Sequence, residues 1–293
     1  MKIKQLNFIL FFVMVTVVLS CSKNDDSLIP SYIKIDTLIL KSEAAQGSAS
    51  HKITDVWVFS KSGLIGVYEL PADIPILEKG NTDLSIYAGI KLNGITATRV
   101  EYPFYKPVSI TPELVNDSVI NLSKINIEYV SDCNFAWLED FENDNFSFRT
   151  TSNGKVLLQR TTESSEIFSL PGETNKSSVK ATLTNDSVYL EYASYEAYKL
   201  PTDGERKTFL ELNYKNNAEF AVGLLVNGTS VEQRPVVIVN PSEKWNKIYI
   251  NLTYALNQSS DANNFRVYIK MVKPEDVEKA YLYLDNIKLI HSK

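Results

Sequence analysis

The chain has 293 residues, a length that suggests two domains, and a formal net charge of −5. This mild acidity, without any cluster of Lys or Arg, argues against nucleic acid as a partner. Two His and two Cys are too few for a His/Cys zinc site or a His-based catalytic triad. The 16 Tyr and 13 Phe, beside only 11 Gly, are typical of a strand-rich protein.

The first 20 residues have the pattern of a secretory signal peptide. Lys2 and Lys4 form a short basic region, and residues 8–19 form an apolar run. This run is shorter than the roughly 18 residues that a membrane-spanning helix needs, and no later run approaches that length. We therefore predict a signal peptide over residues 1–20 and no spanning helix in the mature chain.

Residues 18–21, Val-Leu-Ser-Cys, resemble a bacterial lipoprotein box. The resemblance implies that the Cys21 thiol is diacylated and that Cys21 becomes the mature N-terminus. The alternative is an ordinary secretory signal followed by a coincidental Cys. Residues 21–30 then form a polar, lipidated tether, in which Asp25 and Asp26 resemble the short acidic export signal of Bacteroidetes surface lipoproteins. The implied location is the outer membrane, with a lipid anchor and the protein facing the exterior.

Residues 31–131 are predicted to form a small β-sandwich domain. Short alternating segments are separated by turn residues, including the hairpin signal Asn93-Gly94. About seven short strands in this length favour an immunoglobulin-like or transthyretin-like sandwich. Tyr102 directly precedes Pro103, and Phe104 and Tyr105 lie between Pro103 and Pro107. They are expected to pack inward where the chain crosses between sheets, and an exposed recognition patch is the alternative.

Residues 132–293 resemble the jelly-roll domains of carbohydrate-binding modules and galactose-binding-like proteins. The resemblance is carried by an opening segment, residues 135–144, that contains Asp-Phe-Glu and a closing segment, residues 281–290, that contains Leu-Asp-Asn-Ile-Lys-Leu. It implies a jelly-roll β-sandwich and indicates no particular ligand, since this fold hosts binding, structural and enzyme-accessory roles. The fold class predicted for the whole chain is all-β.

Four tyrosines recur at every third residue between positions 189 and 198. In a strand their rings fall on alternating faces, so at most two neighbours on one face can cooperate. Tyr192 and Tyr195, with Glu191 and Asn213, are predicted as glycan-contacting residues, since sugar-binding sheets combine ring faces with carboxylates and amides. The alternative is that these tyrosines line the outer sheet or the rim of the core.

No catalytic set is found in the sequence. The acidic cluster Glu139, Asp140, Glu142 and Asp144 suggests the carboxylate pair of a glycosidase, but the terminal strand of a jelly roll is a poor place for a substrate cleft. No nucleophile elbow, phosphate loop or His-Glu-x-x-His motif is present. We therefore predict a protein that is not an enzyme.

Four sites resemble the Asp-Ser/Thr-aliphatic sequence at which Bacteroidetes O-glycosylate exported proteins. The candidate residues are Ser27, Thr37, Ser118 and Ser187. Because a three-residue pattern also arises by chance, Ser27 in the tether is the most accessible candidate.

The resemblance to jelly-roll modules also implies a structural Ca²⁺ that joins the first strand to the last. Its ligands would be Glu142 and Asp285, with Asp140 as a further oxygen donor. The apolar phase changes at Asp285-Asn286, which predicts a β-bulge there. Alternatively, Asp285 simply accepts backbone hydrogen bonds at the bulge, and the residues leave the two possibilities open.

The leading functional hypothesis is a surface lipoprotein that binds a glycan or another cell-envelope component through its second domain. The alternative is a structural protein, an adhesin or an accessory subunit that contacts an outer-membrane protein. Both hypotheses include the membrane as a partner through the N-terminal lipid anchor.

The lipoprotein prediction is tested with Cys21→Ala. This variant should lose membrane retention, because the acyl chains are the only anchor that the sequence offers. Cys133→Ala, the same change at the other cysteine, should be retained like the unmodified protein. Membrane fractionation after a salt wash measures both, and a Cys21→Ala variant that stays with the outer membrane would contradict the assignment.

Overall fold

The computed structural model of the protein describes residues 29–172, 175–228 and 230–293. Cys21, Asp25, Asp26 and Ser27, on which the predicted anchor, export signal and tether glycosylation depend, lie outside them. Strands make up nearly all of the regular structure in the described part, which also has a short helix, α1 (Thr253–Asn257). No helix in this part is long and apolar enough to cross a membrane. The predicted all-β fold class is confirmed.

The first sandwich contains ten strands. They are β1 (Ser31–Lys41), β2 (Asp55–Ser60), β3 (Gly63–Glu69), β4 (Ala72–Ile76), β5 (Gly80–Asn81), β6 (Leu84–Lys91), β7 (Arg99–Glu101), β8 (Val108–Ile110), β9 (Glu113–Leu114) and β10 (Val119–Glu128). One sheet has the order β10-β1-β4, and the other has the order β3-β2-β6-β7 with β8 also paired to β6. Strands β5 and β9 form a small separate ladder.

Strand β1 shows how the sequence pattern sets the packing of this sandwich. Ile33 and Ile35 are buried in the core, and so are Leu38 and Leu40, so the inward phase changes by one residue between the two pairs. The pairing of β1 with β10 shifts register at the same place. A bulge keeps apolar side chains on one face where strict alternation would turn them outward.

The second sandwich contains eleven strands. They are β11 (Cys133–Glu139), β12 (Phe148–Thr150), β13 (Gln159–Thr161), β14 (Ser178–Leu183), β15 (Tyr189–Ser194), β16 (Thr208–Asn216), β17 (Phe220–Asn227), β18 (Val231–Val239), β19 (Ser242–Asn251), β20 (Asn264–Val272) and β21 (Ala280–Ser292). Cys133, at the start of β11, is buried.

Two sheets enclose the core of this second sandwich. The junction sheet has the order β13-β14-β21-β16-β19, with β11 also paired to β21. The open sheet has the order β12-β15-β20-β17-β18. Strands that follow one another in the chain mostly alternate between the two sheets, which is the jelly-roll arrangement. This confirms the predicted jelly-roll β-sandwich.

The outer face of the junction sheet packs against the first sandwich. Tyr102, Phe104 and Tyr105 are buried, and they join Phe209 and Tyr249 of the junction sheet in one apolar cluster. The aromatic segment therefore packs inward, as expected, but its neighbours belong to both sandwiches. The junction is also crossed by backbone contacts, since a bridge pairs Leu92 with Tyr249 and the Asn93 N–H donates to the Tyr249 carbonyl oxygen at 2.9 Å. Side-chain packing and these contacts together hold the two sandwiches in contact.

A buried charge lies at the centre of the junction. Glu211 of β16 is completely buried, and its carboxylate forms an ion pair of 2.7 Å with Lys247 of β19. From the first sandwich, the Tyr102 hydroxyl donates to the same carboxylate at 2.7 Å and the Tyr129 hydroxyl at 3.1 Å. The Lys288 ammonium of β21 donates to the Tyr129 hydroxyl at 3.2 Å.

These contacts keep Glu211 ionised. Burial alone would raise the pKa of its carboxyl, but the charges of Lys247 and Lys288 and the hydrogen bonds outweigh burial and lower the pKa. A buried ion is tolerated only where its partners satisfy it. Because Tyr102 and Tyr129 supply part of that set, the polar network is complete only when the two sandwiches are in contact.

Replacing Glu211 with Gln should therefore destabilise the whole protein. The change leaves Lys247 buried without its counter-ion, a loss of about 3–5 kcal/mol for buried pairs. Lys61→Gln, which breaks the exposed ion pair with Asp83, should leave the free energy of unfolding nearly unchanged. Urea denaturation measures both variants, and a Glu211→Gln midpoint equal to that of the control would refute the role of this network.

Candidate functional site

The outer face of the open sheet carries alternating polar and aromatic side chains. Along β15, Tyr192 points into the core while Glu191 points outward, and Tyr195 follows directly after the strand. Along β20, Arg266 and Lys270 flank Tyr268 on the outward side, because residues two apart share one face of a strand. Charged and aromatic groups are thus collected on one face.

This face is concave. Strands β20 and β17 lie between β15 and β18, so Glu191 and Gln233 are three strand spacings apart, about 14 Å on a flat sheet. The Gln233 side-chain amide nevertheless donates to the Glu191 carboxylate at 2.7 Å. The Lys270 ammonium donates to the Gln233 carbonyl oxygen at 3.2 Å. The contact between distant strands requires the sheet to curl around its outer face.

Tyr268 forms part of the floor of the concave face. Its ring lies so close to Gly223 that a Cβ atom there would be 2.7 Å from the ring carbon Cε1 and 2.4 Å from the Arg234 carbonyl oxygen. Only glycine fits such a close approach of side chain and backbone. The Tyr268 hydroxyl is buried without a hydrogen-bond partner among the described residues, and burial raises its pKa to about 12.

A groove of about 640 Å³ occupies one end of this face. It is bordered by the turn that follows β12 and by the outward side chains of β15, β20, β17 and β18. Its lining includes Arg149, Thr151, Ser152, Asn153, Glu191, Tyr195, Leu225, Val231, Gln233 and Arg266. This volume falls in the range of small-ligand sites, roughly 300–1,000 Å³.

Tyr195 and Arg149 form a stacked pair at the rim of the groove. The Arg149 guanidinium lies over the Tyr195 ring, 4.0 Å from its centroid. Its Nε donates to the Phe146 carbonyl oxygen at 3.2 Å, and a terminal nitrogen donates to the Asn145 side chain at 3.0 Å. Tyr195 nevertheless remains 53% exposed. The pair presents a fixed, flat surface to the solvent.

Glu191 is buried at the side of the groove and is saturated with hydrogen bonds. Its carboxylate accepts from the Thr151 hydroxyl at 2.6 Å, the Asn153 amide at 3.1 Å and the Tyr189 hydroxyl at 2.6 Å, in addition to Gln233. Burial alone would raise the pKa of Glu191, but these hydrogen bonds together lower it. The residue is a permanent anion that organises its neighbours.

The structure separates the four residues predicted to contact a glycan. Glu191 and Tyr195 both line the groove. Tyr192 is fully buried in the core, where its hydroxyl donates to the Val156 carbonyl oxygen at 3.0 Å. Asn213 is buried on the junction sheet, opposite the groove. Tyr192 and Asn213 therefore cannot take part in this site.

Sequence reasoning missed Arg149, Gln233 and Arg266. The alternation Phe265-Arg266-Val267-Tyr268 places Arg266 on a polar face but does not say what that face meets. Arg149 lies in a strand of three residues, which is too short for a periodicity to be seen. Gln233 reaches the site only through the curvature of the sheet.

The predicted β-bulge at Asp285-Asn286 is confirmed. The pairing of β16 with β21 shifts register there, and Asn286 has a φ of 48°. Asp285 is fully buried, and its carboxylate accepts from the Asn175 side chain at 2.8 Å, the Asn286 N–H at 2.7 Å and the Ser178 hydroxyl. Burial and, to a smaller extent, the charge of Glu142 raise the pKa of Asp285 to about 7 despite these bonds.

The other acidic residues near the bulge also have local partners. One oxygen of Glu142 accepts from the backbone N–H groups of Lys176 and Ser177, at 2.9 and 3.1 Å. Asp140 accepts from the Glu142 N–H at 3.1 Å. Among the described residues, no three His, Cys, Asp or Glu side chains come together as metal ligands. The contacts among these residues do not test the calcium clip, which stays a prediction.

The predicted O-glycosylation sites in the described part lie in two kinds of environment. Ser118 lies in the turn before β10 and Ser187 in the turn between β14 and β15. Thr37 lies within β1, where its hydroxyl donates to the Leu38 carbonyl oxygen at 3.3 Å. The Ser118 hydroxyl likewise donates to the Val115 carbonyl oxygen, at 2.6 Å. All three sites remain predictions.

The pKa of Asp285 predicts a pH dependence of stability in EGTA. The folded-state pKa of about 7 lies above the unfolded value near 3.9. The folded protein binds the extra proton, so this contribution to stability is present below about pH 4 and is lost as the pH rises to about 7. The melting temperature of the native protein relative to Asp285→Asn should therefore fall between pH 5 and pH 8, and a constant difference would contradict the prediction.

Adding Ca²⁺ to the same samples tests the calcium clip. A ligand that binds only the folded state raises its stability, by about 2.7 kcal/mol at a hundredfold excess over Kd. If the clip forms, Ca²⁺ should raise the melting temperature, more so at high pH, where Asp285 is ionised, and Asp285→Asn should blunt the effect. A melting temperature that is indifferent to EGTA and Ca²⁺ would exclude the clip.

The chain matches no protein-family model. No curated protein is similar to it in sequence. Among solved structures, a family 29 carbohydrate-binding module complexed with mannohexaose is 10% identical, with a TM-score of 0.35 over 55% of this chain and 92% of that chain. The CBM22-2 xylan-binding domain of Paenibacillus barcinonensis Xyn10C is 14% identical, with a TM-score of 0.35 over 54% and 99%. TmCBM61 in complex with β-1,4-galactotriose is 14% identical, with a TM-score of 0.34 over 52% and 93%.

Proposed function

We propose that the protein binds a glycan in the groove of the open sheet. The observation that supports this most directly is the Tyr195–Arg149 pair, a half-exposed ring and guanidinium fixed at the rim of a groove lined with polar groups. The apolar face of a sugar ring packs well on an aromatic ring, while its hydroxyls need hydrogen-bond partners. The groove offers both within one small volume.

The remaining lining fits the same kind of ligand. Leu225 and the exposed Val231 provide apolar contact along the β17–β18 side. Ser152 and Asn153 are exposed in the turn after β12 and can bond hydroxyl groups. A few polar groups that fix orientation, set among apolar contacts, are typical of ligand sites.

Binding without catalysis is the activity that the lining favours. A glycosidase needs two carboxyl groups about 5–10 Å apart across the scissile bond. Among the described residues that line the groove, Glu191 is the single carboxylate, and four donors already occupy its oxygens. Such a carboxylate is suited to hold the groove in shape.

The location proposed for this activity is the outer face of the outer membrane. The resemblance of residues 18–21 to a lipoprotein box supports a lipid anchor at Cys21, and residues 21–30 would serve as the tether. An anchored binding domain would hold glycans at the cell surface. This part of the proposal depends on the sequence alone.

Tyr195→Ala should weaken glycan binding by about tenfold or more, since an aromatic contact contributes about 0.5–1.5 kcal/mol beyond its buried area. The control is Tyr254→Ala in α1, where a tyrosine 74% exposed lies outside the groove lining. Both side chains are exposed, so neither change should unfold the protein. Affinity electrophoresis on neutral and charged polysaccharides gives the readout.

The proposal fails if the native protein binds none of these polysaccharides. It also fails if Tyr195→Ala binds as tightly as Tyr254→Ala, because binding would then occur elsewhere on the molecule.

A further inference from the structure

The charged groups that line the groove differ in how many of their hydrogen-bonding atoms remain available to a ligand. Among the described residues, its charged lining consists of Arg149, Arg266 and Glu191. Glu191 is 1% exposed and already accepts four hydrogen bonds. A ligand hydroxyl would have to displace one of these donors to reach it. The carboxylate is therefore poorly placed to act as an acceptor for a ligand.

Gln233 is occupied in the same way. Its amide nitrogen donates to Glu191 at 2.7 Å, and its carbonyl oxygen accepts from the Lys270 ammonium at 3.2 Å. The acceptor oxygens of Glu191 and Gln233 on the floor of the groove are thus already occupied by hydrogen bonds within the protein. The floor is preorganised but offers few free oxygens.

The two arginines, by contrast, retain unused donors. Arg266 is exposed in the groove and forms no hydrogen bond or ion pair with the residues that the structure describes. Arg149 donates from Nε to Phe146 and from one terminal nitrogen to Asn145. Its other terminal nitrogen makes no such contact with the described residues. A guanidinium carries five N–H donors in a planar fork. The groove is therefore rich in charged donors.

Such donors favour anionic ligand groups over neutral hydroxyls. Hydrogen bonds between guanidinium and carboxylate are roughly twice as strong as neutral ones and are often bidentate. The net charge of the chain is −5, so a general attraction of polyanions to the protein surface is not expected. Any preference for anionic glycans must then come from a local feature.

We propose that this groove selects glycans whose sugars carry carboxylate or sulfate groups, with Arg266 and Arg149 as the residues that recognise the anion. This inference rests on the proposed function. The Tyr195 ring would contact the sugar face, and the arginines would bind the acidic substituent beside it.

Matched polysaccharides test this selectivity on the purified protein. Polygalacturonate is compared with its methyl ester, and dextran sulfate with dextran, so that each pair differs in charge and shares a backbone. Binding to at least one anionic member should be at least tenfold tighter than to its neutral partner, and it should weaken as salt screens the charges. The two pairs distinguish a carboxylate from a sulfate as the recognised group.

Variants of single arginines test whether the selectivity for anionic glycans comes from the groove. Arg266→Gln should reduce binding to the anionic member about tenfold and leave the neutral member little changed, while Arg266→Lys should restore part of the affinity. Arg149→Gln should also reduce binding to the anionic member about tenfold, and it should weaken the neutral member too, because Arg149 stacks on the Tyr195 ring. Arg206→Gln, which removes the same charge from an arginine paired with Asp203 outside the groove lining, should have no effect. Melting curves verify that each variant is folded.

Equal binding to the charged and neutral members would overturn the selectivity and leave the proposed function intact. A loss with Arg206→Gln as large as with Arg266→Gln would overturn it too, because the attraction would then be general. Absence of binding to every polysaccharide would overturn both the selectivity and the proposed function.

Discussion

The buried carboxylate of Glu211 determines how the rest of the molecule can be arranged. An ion in the interior is tolerated only with its counter-ions and donors in place, and these come from both sandwiches. Lys247 belongs to the junction sheet, whereas the hydroxyls of Tyr102 and Tyr129 belong to the first sandwich. The contact commits the outer face of the junction sheet to the protein interior, so the open sheet is the face of the jelly roll that remains for a ligand.

Alternation along single strands predicted much of what the structure shows. It places Tyr192 and Tyr195 on opposite faces of the sheet, and in the structure Tyr192 is buried in the core while Tyr195 lines the groove. It also located the bulge at Asp285-Asn286, because a change of apolar phase within a strand requires an extra residue. The prediction of Tyr192 as a ligand contact was wrong, because alternation alone does not tell which of the two faces of a strand packs against the core.

Other features depend on contacts that no local pattern contains. The alternation around Leu210 and Leu212 predicts that Glu211 and Asn213 face solvent, yet both are buried, Glu211 because the first sandwich packs against that face. Gln233 meets Glu191 only because the sheet curls, and 42 residues separate the two in sequence. The sequence of a single strand predicts which side chains share a face, but it does not show what packs against that face.

The groove is shaped before any ligand arrives, and this bears on how it would bind. Glu191, Gln233 and Lys270 bond one another across the floor, and Gly223 allows Tyr268 to lie flat beneath them. Ordering side chains on binding costs about 0.5–1.5 kcal/mol for each immobilised group. In this groove, the hydrogen bonds among Glu191, Gln233 and Lys270 already order these side chains in the folded state. The exposed Arg266 has no such contact, so the cost of ordering on binding falls on a side chain that would determine which ligand is chosen.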